Sequence, residues 1–507
     1  MSEKQKRKQA ERDEKRADDI LSGRVTYVPY ERKKKKAQSN RKGGGMQPGQ
    51  VDEMVSYTVS ILRVILPGIL VKLSRIYDPR NPKKIKHDAK TLLLYGLLMF
   101  CSHMTSCRSA NRELSGEETF ENLQDVLPEL QTMPHADTLK RFLCAVDEKE
   151  IQAQYEEMLR EFIRSNTMRK LNPGKFWVLI DGSGKFSRRY NWDERALVSH
   201  YTKTNEDIYY ATMLESVLVM GNGMVIPLLT EPLSNDNKKS ENGKQDCERN
   251  AFYRLADRLV RLLGKGCVTV VVDGLYACGP VISKCERYSW DYMIAIKDDS
   301  LKTVWSDFDG ICEISPENRH EVKWGDRAQV YSWANEIEYV YGGNNRVLHL
   351  NLVTCTETWV EEKPRSSGVP EQKWAKYAWL SSEKLCKDNV FHRCTEIGRK
   401  RWRIENNFYV EKHRGYQYSH CFSYNWNAMM GFHHLMKIGH FVNTLVTYCE
   451  IVAKHVQAEG VQGFIKKFWT TLLIRGRRKE VKRIKSRGRS PTVDKIRYGV
   501  LKLVVAT

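Results

Sequence analysis

Arg401, Glu405 and Lys412 set one acid between two bases on a single helical stripe. At about 100° per residue, Arg401 lies about 40° and Lys412 about 20° to the same side of Glu405. That face reads plus, minus, plus. Two isolated carboxylates upstream, Asp181 and Asp273, each follow a hydrophobic strand-like run, Phe176–Ile180 and Val268–Val272. If the three acids met, their hard oxygens would suit two divalent ions, Mg2+ or Mn2+, about 3.5–4 Å apart. Such ions stabilise the attacking and leaving oxygens of an in-line displacement at phosphorus. Arg401 and Lys412 would hold phosphates nearby, Arg by a bidentate fork and Lys as a point charge. The chemistry this pattern points to is cutting of a nucleic-acid backbone, with Asp181 as the bridging ligand and Asp273 and Glu405 each completing one ion's shell.

The elements that must position these residues can be read from periodicity. Over 47–170 apolar residues recur at helical spacing, as in Leu92/Leu93/Tyr95/Gly96/Met99 and Leu139/Phe142/Leu143/Val146, which predicts a helical N-terminal domain and a place for DNA binding. Asp137 or Thr138 is expected to cap the helix near Leu139. No pattern there places a recognition helix. Over 171–297 the period changes. Phe176–Ile180 reads as a buried strand, and Thr212–Met220 and Met224–Leu229 read as strands joined through the Gly221-Asn222-Gly223 turn. Cys247–Leu263 has helical spacing, Val268–Val272 is a strand, Tyr276–Arg287 a helix and Tyr292–Ile296 a further strand. Residues 298–390, with alternating runs at Ala328–Trp333, Ile337–Tyr341 and Val347–Thr354, predict an inserted antiparallel β-subdomain, with a loop over Glu361–Gln372. The helix carrying Glu405 falls in 391–420, and Trp426 to about Val456 predicts further helix within 421–465. This order is that of an α/β, RNase H-like core with acids at the ends of its first and fourth strands.

Charge divides the 507-residue chain unevenly. Residues 1–46 hold 15 Lys/Arg against 7 Asp/Glu, and 466–507 hold 14 against 2, so the two ends carry nearly all of the net +21. A neutral body with a basic arm and a basic tail suits a polyanion bound by counterion release. The 13 cysteines include no C-x-x-C, and Cys278, Cys285, the His392/Cys394 pair and His433, His434 and His440 lack zinc spacing, so packing is expected of them. A reduced, cytoplasmic setting follows. Val59–Leu73, interrupted by Arg63 and Pro67, and Leu92–Met99 fall short of the roughly 20 residues that span a bilayer, so both are expected as buried helices with no membrane partner. Asp193, Glu194, Asp236, Asp246, Asp298 and Asp299 lie where solvated positions explain them.

With these residues in order, the chain resembles bacterial insertion-sequence DDE transposases of the cut-and-paste type, whose signature is Y-x2-R-x3-E-x6-K. Arg401, Glu405 and Lys412 occupy the R, E and K spacings within Arg401-Trp402-Arg403-Ile404-Glu405, and Gly398 stands at the tyrosine position, where Arg399 or Lys400 could substitute. Asp181 in Leu-Ile-Asp-Gly-Ser and Asp273 in Val-Val-Asp-Gly-Leu-Tyr match the two aspartate motifs. The resemblance covers about 171–450. It implies catalysis by Asp181, Asp273 and Glu405 with two Mg2+ or Mn2+ ions, DNA contacts from Arg401, Arg403, Lys412 and Tyr377, and a homodimer that pairs transposon ends with target double-stranded DNA at the bacterial nucleoid. Tyr377, before Trp379-Leu380-Ser381-Ser382-Glu383, is either an aromatic that stacks on an everted base or part of the β-subdomain's core. Two other readings stay open: a transposase-derived DNA-binding protein that no longer cuts, and an RNase H-like structure-specific nuclease.

Overall fold

The structure, a computed structural model, describes residues 48–126, 130, 132–237, 244–361, 371–471 and 495–504. The basic arm at 1–46, the centre of the expected loop at 362–370 and the stretch 472–494 of the basic tail lie outside the described residues. The chain is a mixed α/β protein with a large mixed sheet and helices. It divides into two compact units, one of Gly45–Val270, Lys284–Trp290 and Arg401–Thr507, the other including Val271–Ser283 and Asp291–Lys400.

The first unit opens with seven helices: α1 Pro48–Leu73, α2 Ala89–Cys101, α3 Cys107–Leu114, α4 Glu117–Val126, α5 Ala136–Ala145, α6 Glu148–Ile163 and α7 Asn166–Leu171. From Glu53 to Leu73, α1 is long and apolar enough by length and composition to cross a membrane, which corrects the shorter span read from the sequence; most of it is buried in the fold. His135, not Asp137 or Thr138, stands at the N-cap of α5, so Asp137 lies in the first turn, where its charge favours the helix N-terminus. Strands β1 Phe176–Arg188, β2 Leu197–Tyr201, β3 Glu206–Val219 and β4 Val225–Pro232 follow, then α8 Glu248–Leu263 and β5 Val268–Val272. The order is β2-β3-β1-β5, with β4 on β3. The β3–β4 hairpin turns at Gly223, whose φ of +82° suits glycine. The Phe176 amide donates to the Cys267 carbonyl at 2.7 Å, joining the starts of β1 and β5 as parallel neighbours.

In the second unit, a 3-10 turn at Gly274–Tyr276 and the first half of α9, Gly279–Arg287, precede strand β6, Asp291–Ala295, so the helix expected from Tyr276 begins three residues later. An unforeseen helix, α10 Lys302–Ile314, buries Val304, Trp305 and Phe308 and packs on β8. Strands β7 Arg319–Trp324, β8 Arg327–Tyr341, β9 Arg346–Glu361 and β10 Glu371–Ser381 form the antiparallel order β6-β10-β9-β8-β7. The two runs expected at Ala328–Trp333 and Ile337–Tyr341 are one strand, bulged between Ala334 and Ile337, where Glu336 has φ +61°.

The remaining helices belong to the first unit: α11 Trp402–His413, α12 Trp426–Thr447, α13 Ala453–Thr470 and α14 Tyr498–Leu501. Helix α12 ends at Thr447, short of the expected Val456, and is buried almost all round against α2, α5, α6 and β4. Close approach needs glycine: a Cβ on Gly96 would meet Leu435 and Leu139, and one on Gly439 would press on Phe100. The chain end is not a solvated tail over 495–504. Ile496, Tyr498, Leu501 and Leu503 are buried, and the Tyr498 hydroxyl donates to the Met158 carbonyl at 3.0 Å, because four apolar side chains there outweigh the basic residues between them.

Candidate active site

Val178, Leu179 and Ile180 bury β1, and Asp181 follows at a half-buried position paired in register with Glu215 of β3. The strand does not end at Asp181 as expected; pairing with β3 carries it to Arg188, with a register shift between Gly184 and Phe186. The Gly182 amide donates to the Asp181 Oδ1 at 2.9 Å. Gly182 also has a steric reason: a Cβ there would come within 2.3 Å of the Glu248 Oε1, so this acid from the first turn of α8 lies against the Asp181–Gly182 strand.

Helix α11 is entered through a π-helical turn, His392–Ile397, and a 3-10 turn, Gly398–Arg401. Arg401 Nη2 donates to the Glu405 Oε1 at 2.8 Å, and Arg401 Nη1 stands 3.7 Å from the Asp181 Oδ2. The i,i+4 neighbourhood expected from spacing is therefore present, and one guanidinium holds two carboxylates together. All three side chains are partly open to water, Arg401 at 17%, Asp181 at 22% and Glu405 at 38%. Lys412 is half-buried, its ammonium 5.5 Å from the Tyr418 ring centre; burial lowers its pKa against the pull of Glu411. Arg403 is exposed and lies about 200° round α11 from Arg401, off the acid–base stripe.

Asp273 and Tyr377 belong to the second unit. Asp273 is the N-cap of the Gly274–Tyr276 turn, its Oδ1 accepting from the Leu275 amide at 3.0 Å. Tyr377 on β10 stacks on Trp379 at 5.7 Å and lies under the Arg399 guanidinium at 4.6 Å. Burial raises its pKa, and Arg399 opposes that rise. The Trp379 indole also explains Gly398: a Cβ at that position would meet Trp379 Nε1 at 2.9 Å, leaving no room for a tyrosine. Arg399 donates to the buried Glu357 at 2.7 and 3.2 Å, so its guanidinium already has a carboxylate partner.

Beneath the Asp181–Arg401–Glu405 group lies a buried charge cluster that the sequence reading missed. Lys437 Nζ of α12 is 3.0 Å from Glu215 of β3 and 2.9 Å from Glu411 of α11, and all three residues have almost no exposure. His433 Nε2 is 3.1 Å from Glu215, and His440 Nδ1 is 2.8 Å from Glu411. The hydroxyls of Thr230 and Tyr418 donate to Glu215 at 2.7 and 3.2 Å. Burial alone would raise both carboxyls, but Lys437 with His433 holds Glu215 low and Lys437 with His440 holds Glu411 low. Burial takes His433 down to about 4 in spite of Glu215, so its ring is neutral at neutral pH. The signal was present: Glu215 and Lys437 are lone charges in otherwise apolar runs. Asp246, expected to be solvated, is likewise buried, paired with Arg254 at 2.7 Å.

Among the described residues, no group of three or more His, Cys, Asp or Glu side chains is placed to hold a metal ion. The Asp181 and Glu405 carboxylates do converge on one cation, Arg401, and hard oxygen donors of that kind fit Mg2+ or Mn2+. Residues 70–158, from the end of α1 into α6, match the family model described as DDE_Tnp_1-associated, a domain consistent with insertion-sequence DDE transposases. The matched stretch holds none of Asp181, Asp273 or Glu405. It associates the chain with a DDE transposase family and suggests a transposase-related protein. A search of the curated proteins finds no match to the chain.

Proposed function

We propose that the chain is a DNA transposase that binds the inverted-repeat ends of its element, hydrolyses phosphodiesters there and joins the freed 3′ ends to target DNA. The observation that carries this reading is the guanidinium of Arg401 held between Asp181 and Glu405. Carboxylates neutralised by one exchangeable cation can pass to another, and the released arginine is then free to fork onto a phosphate. The transposase-associated domain at 70–158 supports the same reading, as does an element order like that of an RNase H-like core.

In this proposal Asp181 and Glu405, with Asp273 as third ligand, hold two Mg2+ or Mn2+ ions. Bound there, the metal would supply an acidified water and charge neutralisation at the scissile phosphate. Lys412 and Arg403 contact the DNA backbone, and Tyr377 stacks on a base displaced from the duplex. The basic arm and tail add affinity for double-stranded DNA without reading sequence. The working form is a homodimer acting on DNA in the bacterial cytoplasm.

The rival reading, a transposase-derived DNA-binding protein that does not cut, draws on the lack, among the described residues, of a three-ligand metal group. A nicking and strand-transfer assay on terminal-repeat DNA with Mg2+ separates the two. Wild-type protein should cut, and Glu405→Gln and Asp181→Ala should not, while still binding DNA. A wild-type protein that binds the repeat but never nicks it would establish the rival.

A further inference from the structure

We infer that Lys437 is a positioning residue: by tying Glu411 of α11 to Glu215 of β3, it sets the register in which Glu405 meets Asp181. This rests on the reading of Asp181 and Glu405 as metal ligands. The two ends of the tie lie close to those ligands, one across the sheet and one along the helix. Glu215 is the direct cross-strand partner of Asp181, and such partners project from the same face of an antiparallel pair. Glu411 and Glu405 are on the same short helix, six residues apart, so they point in directions about 120° from one another. One acid therefore faces the site while the other enters the core. Lys437 reaches both core acids, with Nζ 3.0 Å from the Glu215 Oε2 and 3.0 and 2.9 Å from the two Glu411 oxygens.

Stability alone does not ask for this arrangement. Removing three charges from water costs several kcal/mol per ion, and well-packed apolar side chains of the same volume usually serve as well or better. What ions offer is direction. Apolar packing between a helix and a sheet tolerates a slide of one residue, which for α11 would be about 1.5 Å and 100°. A lysine bonded to three carboxylate oxygens on two elements does not. His440 on Glu411 and His433, Thr230 and Tyr418 on Glu215 fill the remaining acceptor positions, so neither carboxylate can swing to another partner.

The test uses the full chain. Glu411→Gln/Lys437→Met removes the helix-side pair and leaves Glu215 to His433, Thr230 and Tyr418; Glu215→Gln severs only the strand side. The readouts are thermal melting, DNA affinity, hydrogen exchange of α11 in metal-free protein, Mn2+ binding by electron paramagnetic resonance, and nicking. The expected result is folded protein with wild-type DNA affinity, faster exchange in α11, and Mn2+ affinity and nicking kcat lowered about 10–100-fold, as for other groups that orient metal ligands. Added Mn2+ should recover part of the rate with KM for DNA unchanged. Folded variants with wild-type Mn2+ affinity and metal dependence would overturn the proposal, and so would failure of both variants to fold, which would make the cluster purely structural. The underlying reading has its own control: if wild-type Mn2+ binding is unaffected by Glu405→Gln, the assignment of the site falls, whatever Lys437 does.

Discussion

Helix α11 carries two ion pairs of nearly equal length whose surroundings differ. Arg401 and Glu405 meet at 2.8 Å with 17% and 38% of their side chains in water; Glu411 and Lys437 meet at 2.9 Å with 0% and 1%. Water screens the first pair, so it contributes about 0–1 kcal/mol and its members can exchange partners. The second pair has no water to fall back on, so losing either member strands a charge in the core. Similar geometry thus produces a replaceable contact on one face of the helix and a fixed one on the other, and only the replaceable one suits a site that must take up and release a ligand.

The largest effect that could break this comparison is on chemistry. Asp181→Ala, Asp273→Ala and Glu405→Gln should each lower nicking by orders of magnitude, because a neutral side chain cannot hold a divalent ion or help acidify its water. For the partly exposed Glu405, urea denaturation should show a cost of no more than about 1 kcal/mol. A Glu405→Gln protein that nicks at the wild-type rate would remove that residue from the site.

The buried face should behave in the opposite way. Lys437→Met alone leaves Glu411 and Glu215 without their shared cation and should cost about 3–5 kcal/mol in urea denaturation. Glu411→Gln/Lys437→Met strands only Glu215 and should cost clearly less. Equal losses in the two would mean that the charges do not depend on one another.

A smaller effect tests the second unit. Gly398→Tyr, which places a tyrosine three residues before Arg401, should cost about 1–3 kcal/mol by overpacking against Trp379. Adding Trp379→Ala should recover part of that loss, and a melting temperature unchanged by Gly398→Tyr would show that the indole moves aside freely.

The smallest effect sharpens the comparison through pH. His433 has a folded pKa of about 4, below the 6.5 of the free side chain. The unfolded chain therefore takes up the proton first as pH falls, and stability should decline from pH 6.5 towards 4 by at most about 1.4 kcal/mol per unit. Glu215 and Glu411, both held low, contribute fully above their ordinary value of 4.5 and lose that contribution only below it. His433→Gln should flatten the upper part of this dependence, and an unchanged slope between pH 6.5 and 5 would assign it to other groups.

Local contacts were legible in the sequence. Arg401–Glu405 is an i,i+4 pair, the Gly221–Gly223 turn joins adjacent strands, and Val268–Val272 reads as a strand at the same bounds in the structure. Elements whose signal is split were not. Strand β8 reads as two runs because its bulge interrupts the alternation, and α10 was absorbed into the neighbouring β pattern although Val304, Trp305 and Phe308 carry a helical face.

By itself, then, the sequence determined most of the helices and strands between Phe176 and Ala295, the helical stripe of Arg401 and Glu405, and the unequal charge of the chain ends. Only the tertiary structure decided that Glu248 packs on Gly182, that Trp379 fills the space over Gly398, that Ile496 and Tyr498 return to the helical layer, and that Lys437 joins Glu215 to Glu411. The physical reason is separation along the chain. An i,i+4 contact follows from the 3.6-residue turn wherever a helix forms, whereas Glu215 and Lys437, in strand and helix, meet only because packing brings their backbones together, and no local periodicity encodes which buried acid a buried lysine will find.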